Sequence, residues 1–315
     1  MEKLVERETA TRAPLVAAPA LAVQFFLIPL AVVGITVLGY LGFRSLLTDD
    51  RKAEDYLTQI RTGGTDRRWP AAYELSRLMA DPEVRANHEL APVLVEAFER
   101  AKDDDPRVRR YLALALGRLD PLPKEAIAAL SRSLDEPDEG YKADWFSHLT
   151  GGSDSEAGEA RISTIWALGS SGDESVVPKL QPFYESSDAG IRKMVVYALG
   201  ALPGTAQLDT LRAALRDAEP DVRWNAAVAL ARHGSNEGVG VLQQMLDRTY
   251  VEQTVKREVR QDTDIDPVAD VMISGLRAAA ALKDASLKPS VEVLSRGDRS
   301  MKVRQAALEA LKTMG

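Results

Sequence analysis

Three stretches decide the reading of this chain: DDPRVRRYLALALGRL (Asp104–Leu119), DAGIRKMVVYALGAL (Asp188–Leu202) and EPDVRWNAAVALARHG (Glu219–Gly234). Superposed, they share an Arg, six residues and a Leu. The same register recurs at Arg68/Leu75, Arg109/Leu116, Arg161/Leu168, Arg192/Leu199, Arg223/Leu230 and Arg304/Leu311, and a seventh copy, Gly275/Leu282, keeps the Leu and loses the Arg. The residue before the Leu is Ala in six copies (Ala115, Ala167, Ala198, Ala229, Ala281, Ala310). The residue after it is small in five (Ser76, Gly117, Gly169, Gly200, Ala231). A fixed register of this kind is the signature of a repeat architecture.

Each copy continues into a second apolar-periodic run, such as Lys124–Leu134, Ala206–Leu215 and Glu237–Leu246. Apolar residues at i, i+3, i+4 and i+7 predict amphipathic helices in both runs. The Gly, Pro, Asp and Ser residues between them, as in Gly169–Asp173, end the first helix. The unit is therefore a helical hairpin. The Leu-to-Leu spacings are 41, 52, 31, 31, 52 and 29, so a period near 31 is stretched by two larger insertions and a smaller one. A lone hairpin cannot bury both apolar faces, so neighbours must stack. The expected fold is all-α, a right-handed α-solenoid of about seven hairpins with the Leu as core knob.

On those quoted stretches the chain resembles HEAT-like repeat proteins of the kind found in phycobilin lyases, over residues 66–315. The resemblance implies that the repeated Arg and an acid stack between units as a structural ladder. On this sequence that ladder would be Arg68, Arg109, Arg161, Arg192, Arg223 and Arg304 with Asp105, Asp188 and Glu219, each acid four residues before its Arg. It says little about activity, because sites are grafted onto such scaffolds. Two enzymatic branches stand as the alternative: bilin lyases, and oxidoreductases like deoxyhypusine hydroxylase, which hold iron through several His-Glu pairs. This sequence has one such pair, His88-Glu89.

Before the repeats, residues 13–43 contain no charged side chain. About 20 apolar residues cross a bilayer as a helix, so a single transmembrane helix is expected over 13–43. Gly42–Ser45 makes a poor signal-peptide cleavage site, which favours an uncleaved anchor. Lys3, Arg7 and Arg12 on one side nearly balance Arg44, Arg51, Lys52 and Arg61 on the other. The positive-inside rule thus leaves orientation open, with a slight lean towards an exported repeat domain. The expected layout is a charged tail (1–12), the anchor (13–43), a linker or capping helix (44–65) using Tyr56, Leu57 and Ile60, and the repeat domain (66–315), in a bacterial inner membrane.

Residues 49–315 carry 36 Lys and Arg against 44 Asp and Glu. Such an acidic domain argues against nucleic-acid binding. The absence of cysteine removes disulfides, thiolate nucleophiles, iron-sulfur clusters and Cys-based zinc sites. His88, His148 and His233 are scattered and form no metal motif. Asp262–Asp266 opens like a calcium loop, but Pro267 and Ile273 stand where that loop needs Gly and Glu. No cofactor, metal, catalytic residue or small-molecule substrate is expected. The function expected is a membrane-anchored scaffold for protein partners, such as a membrane complex. Candidate partner-binding residues lie in the insertions, about 135–159 and 249–266: Tyr141, Trp145, Phe146 and Tyr250. Aromatic residues on insertions are typical anchors.

Overall fold

The computed structural model describes residues 28–47, 52–87, 89–136, 153–255 and 266–315. It divides into two compact units, Met1–Lys52 and Ala53–Gly315.

In the first unit, helix α1 runs Ile28–Leu47. Leu30, Val32, Val33, Ile35, Leu38 and Tyr40 on it are all exposed. The span expected over 13–43 finds no support here: among the described residues no helix is long and apolar enough to cross a membrane. Residues 13–27 lie outside them, and Arg44 falls in the last turn of α1. The uncharged part of α1 is therefore shorter than the ~20 residues a span requires.

The second unit is a stack of helical hairpins. Helix α2 (Ala53–Thr62) buries Ala53, Tyr56, Leu57 and Ile60, and packs on α3 as the first layer of the array. The first helices of the repeats are then α3 (Thr65–Leu78), α5 (Pro106–Leu116), α7 (Ser153–Gly169), α9 (Ala189–Ala201), α11 (Pro220–Arg232), α14 (Pro267–Leu282) and α16 (Met301–Met314). Their return helices are α4 (Leu90–Arg100), α6 (Lys124–Ser133), α8 (Val177–Leu180, extended by 3-10 turns on both sides), α10 (Leu208–Ala214), α12 (Val239–Met245) and α15 (Lys288–Gly297). An additional helix, α13 (Arg248–Thr254), belongs to the second insertion. Each first helix lies against the next, from α3 through to α16.

Local chemistry explains where these helices start and stop. Asp105 and Asp266 cap α5 and α14, and Pro106 and Pro267 follow at the first helical position, where the missing N–H costs nothing. After α7, α9 and α11 the chain turns through Gly172, Gly204 and Gly234, all at positive φ, where a side chain would be strained. After α14 the same left-handed role falls to Lys283, at φ 56.

The repeated Ala-Leu-Gly has a direct physical reading. Leu75, Leu116, Leu168, Leu199 and Leu230 are wholly buried. The Gly of one repeat meets the Ala of the next: a Cβ on Gly117 would lie 2.8 Å from Ala167 Cβ, one on Gly169 2.5 Å from Ala198 Cβ, and one on Gly200 2.4 Å from Ala229 Cβ. The small residues therefore set the spacing between successive first helices, and the Leu fills the space behind them.

The sixth first helix departs from the register read in the sequence. Ala281 is exposed and Leu282 only half-buried. Burial is complete instead at Met272, Leu276 and Ala279, so the core position falls on Ala279, three residues before Leu282 and nearly one turn earlier. Gly275 is therefore not a ladder position that lost its Arg. It is a close-approach point, where a Cβ would come 2.9 Å from Met245 Cβ.

Candidate interaction surfaces

Five of the six ladder arginines sit in the first turn of their helices, and Arg161 lies midway along the longer α7, but the acids they meet are not those expected. Asp105 and Asp188 cap their own helices, accepting from Arg107 N at 2.9 Å and from Gly190 N at 2.7 Å. Glu219 occupies the N-cap of α11 without a side-chain capping bond. The acids that face the ladder are Asp104, Glu136, Asp217 and Asp298. Arg68 Nη1 reaches Asp104 at 2.8 Å, and Arg109 Nη1 reaches Glu136 at 2.5 Å. Arg192 grips Asp217 with two nitrogens, at 2.9 and 3.0 Å.

A second rule emerges from the backbone. Arg192 also donates to the carbonyl of Ser186, Arg223 to that of Asp217 and Arg304 to that of Asp298, in each case six residues back. Each Arg thus closes the loop that leads into its own helix. Asp217 serves two repeats at once: its carbonyl takes Arg223, and its carboxylate takes Arg192. Asp298 does the same for Arg304 and for Arg248, whose Nε and Nη2 lie 2.7 and 2.6 Å from the carboxylate. The ladder position of α14 is filled by buried Met272, so the inserted helix α13 supplies the guanidinium.

The charges follow this geometry. Burial opposes ionisation of Asp217, but the hydrogen bonds from Arg192 and the Glu219 N–H outweigh it and hold the carboxyl below its ordinary value. Glu136 is held low first by the hydrogen bond from Arg109. Arg192 and Arg248 are each raised by their Asp. Ladder arginines also lie over aromatic rings, Arg109 over Phe98 at 5.1 Å and Arg161 over Phe183 at 5.5 Å. A cavity of about 730 Å³ opens along this edge beside Arg68, Arg109 and Arg161, where Asp104 and Glu136 balance much of the positive charge.

The expected binding aromatics Tyr141, Trp145 and Phe146 lie outside the described residues, as do His88 and His148. Tyr250, on α13, is half-buried against the core of the last repeats. His233 ends α11, with Nε2 at 3.4 Å from Gln207 Nε2. Among the described residues no group of three His, Asp or Glu could hold a metal ion.

A different set of side chains recurs in the same register. Five residues after the first five ladder arginines stand Tyr73, Leu114, Trp166, Tyr197 and Val228, one on each of five successive first helices, whereas Glu309 holds that position after Arg304. Tyr73 and Tyr197 are exposed and the other three half-buried. Tyr73 also meets Tyr111 edge-on at 5.1 Å. Beside Tyr197 and Val228 a groove of about 310 Å³ runs across α9, α11 and α14, and Trp224 and Met245 also line it. The repeat register carries this row, since its spacing from the Arg is constant.

A profile described as HEAT repeats matches residues 146–221, which include α7 and α9. Over that segment the chain is similar to HEAT repeats. No curated protein matches the chain. Among solved structures, an engineered protein is similar at 18% identity, over 84% of this chain and 96% of that one, with a TM-score of 0.40. A designed armadillo repeat protein in complex with the peptide (KR)4 is similar at 15% identity, over 84% of this chain and 100% of that one, with a TM-score of 0.42.

Proposed function

We propose that this chain is a non-catalytic scaffold that holds a protein partner on the first-helix face of its repeats, beside a membrane to which residues 13–43 attach it. The observation that carries the reading is the row Tyr73, Leu114, Trp166, Tyr197 and Val228, which extends over five repeats and exposes two tyrosines. Tyr and Trp are the residues most enriched where binding energy concentrates. Attachment to a membrane is supported by the uncharged run 13–43 and by the exposed apolar side chains of α1. The repeat domain is proposed to face the exported side of a bacterial inner membrane.

Affinity purification of the full-length chain from membranes tests the scaffold. Recovery of a stoichiometric partner is expected, and Tyr73→Glu with Tyr197→Glu should release it at an unchanged melting temperature. Retention of the partner by this double variant would overturn the assignment of the face. Extraction of the chain from membranes by alkaline carbonate would overturn the anchor, and a reporter fused after Gly315 reads the orientation.

A further inference from the structure

The groove across α9, α11 and α14 holds a second observation that points to a ligand. Trp224 is 5% exposed and lines the groove, and its Nε1–H is buried with no hydrogen-bond partner. An indole N–H can only donate, so whatever satisfies it must bring an acceptor. Tyr197, Val228, Met245 and Val271 form the apolar part of the groove wall, and Asn225 and Ser274 also line it. Asp221 and Asp270, in the first turns of α11 and α14, line the groove from the N-terminal ends of those helices. Lys193 at that end is engaged with Asp221 at 3.2 Å. Asp270 is exposed and has no ion partner among the described residues. Arg232 lies at the opposite end of α11, about 16 Å away along the helix.

We propose that this groove is a binding site for an extended peptide segment of the partner, and that the segment carries an apolar residue next to a Lys or Arg. The apolar side chain enters between Val228 and Val271. The neighbouring cation pairs with Asp270, and a main-chain carbonyl accepts from Trp224 Nε1 after a small turn of the indole towards the groove. An extended peptide offers these features together, with a carbonyl at every residue and side chains on alternate sides. The net acidity of residues 49–315 favours a basic segment over an acidic one. This inference rests on the scaffold reading and makes it specific.

The test uses the full-length chain and fluorescein-labelled (Lys-Leu)3, with (Glu-Leu)3 and (Lys-Ser)3 as controls, read by fluorescence anisotropy. Saturable binding of (Lys-Leu)3 is expected, stronger than that of either control. Trp224→Phe keeps the packed ring and removes the donor, so it should weaken binding about fivefold, the worth of one hydrogen bond, at an unchanged melting temperature. Asp270→Lys should abolish the preference for (Lys-Leu)3 over (Glu-Leu)3. Equal binding of the three peptides, or Trp224→Phe binding like the wild type, would overturn the proposal. A dimer that Trp224→Phe dissociates would also overturn it, by making the occupant a second copy of the chain. If Trp224→Phe still recovers the partner from membranes while no peptide binds, the groove fails and the scaffold stands. If neither partner nor peptide binds the wild type, both fail.

Discussion

From α7 to α11 the Arg and Leu positions recur every 31 residues, each Leu followed by a small residue (Gly169, Gly200, Ala231), whereas the next Leu of the motif comes 52 residues further on, in α14, and no Arg accompanies it. In the first block each device is local to the repeat. Gly169 and Gly200 admit the Ala of the following helix, Arg192 grips Asp217, and Gly172, Gly204 and Gly234 make the turns. In the second block the register slips by nearly a turn, Met272 and Ala279 enter the core, and Lys283 makes the turn. Even so, Asp298 receives a two-nitrogen guanidinium like Asp217, now from Arg248 fifty residues earlier. What the fold preserves is the ion pair at the inter-repeat loop and not the residue that supplies it. A buried carboxylate at that point must be matched, whatever the source.

The sharpest way to break this equivalence is to remove each guanidinium in turn. The side chain of Asp298 is 1% exposed and that of Asp217 6%. Leaving a buried charge unmatched costs about 3–5 kcal/mol. Arg248→Ala should fall in this range, and Arg192→Ala somewhat below it: each carboxylate keeps a backbone N–H, from Ser300 and Glu219 respectively, but Asp217 also keeps the Tyr184 hydroxyl. Urea unfolding measures both. If Arg248→Ala costs under ~1 kcal/mol, as an exposed ion pair would, the inserted helix is not part of the ladder. Arg248→Ala combined with Asp298→Ala should recover part of the loss, since the carboxylate left behind causes it.

Next in size is the spacing device of the regular block. Gly200→Ala places a Cβ 2.4 Å from Ala229 Cβ and 3.1 Å from its Cα, atoms of a helix that cannot yield alone. Such overpacking costs about 1–3 kcal/mol. Calorimetry should show a lower melting temperature for Gly200→Ala. Gly240→Ala, with nothing within 4 Å of the new Cβ, should not lower it. Equal effects would mean that the glycines serve backbone conformation and not spacing.

The same contrast explains what could be read in the sequence. The hairpins, the buried Leu set and the small-residue positions were legible because identical contacts between neighbours demand identical residues at a fixed period. The ladder arginines were legible for the same reason. Their partners were not, because an acid four residues before the Arg sits where a helix needs its cap, and Asp105 and Asp188 serve there. The informative position was six before the Arg, where Asp217 and Asp298 stand. Arg248 carried no such signal, since an insertion has no repeat register. Nor could a pattern search detect the slip in α14: Leu282 satisfied it, and only burial shows that Ala279 holds the core. The row of Tyr73, Leu114, Trp166, Tyr197 and Val228 was recoverable at Arg plus five, while the groove beside it depends on three helices from separate repeats.

The turn after α14 gives a smaller effect of opposite sign. A left-handed conformation costs a side-chain-bearing residue about 1–2 kcal/mol relative to glycine, part of which glycine's greater freedom in the unfolded chain offsets. Lys283→Gly should therefore stabilise the protein by about 1 kcal/mol and make this turn like those at Gly172 and Gly234. A lower melting temperature would show that Lys283 makes a contact worth more than the strain.

The smallest effect near neutral pH, and the one that separates the ion pairs from packing, lies on the acid side. Asp217 and Glu136 are held below their ordinary values in the folded state. The unfolded chain therefore binds protons first as pH falls, so the contribution of these pairs is complete above about pH 5 and is lost as pH drops through the folded values. Asp217→Asn removes one titrating group, so stability measured from pH 6 downwards should fall less steeply below pH 4 than in the wild type. Arg192→Ala should flatten the same limb, because it returns Asp217 towards its unfolded value. Gly200→Ala, which acts through packing alone, should lower the whole curve without changing its slope. If all three variants run parallel to the wild type below pH 4, the ladder contributes geometry and no net electrostatic stability.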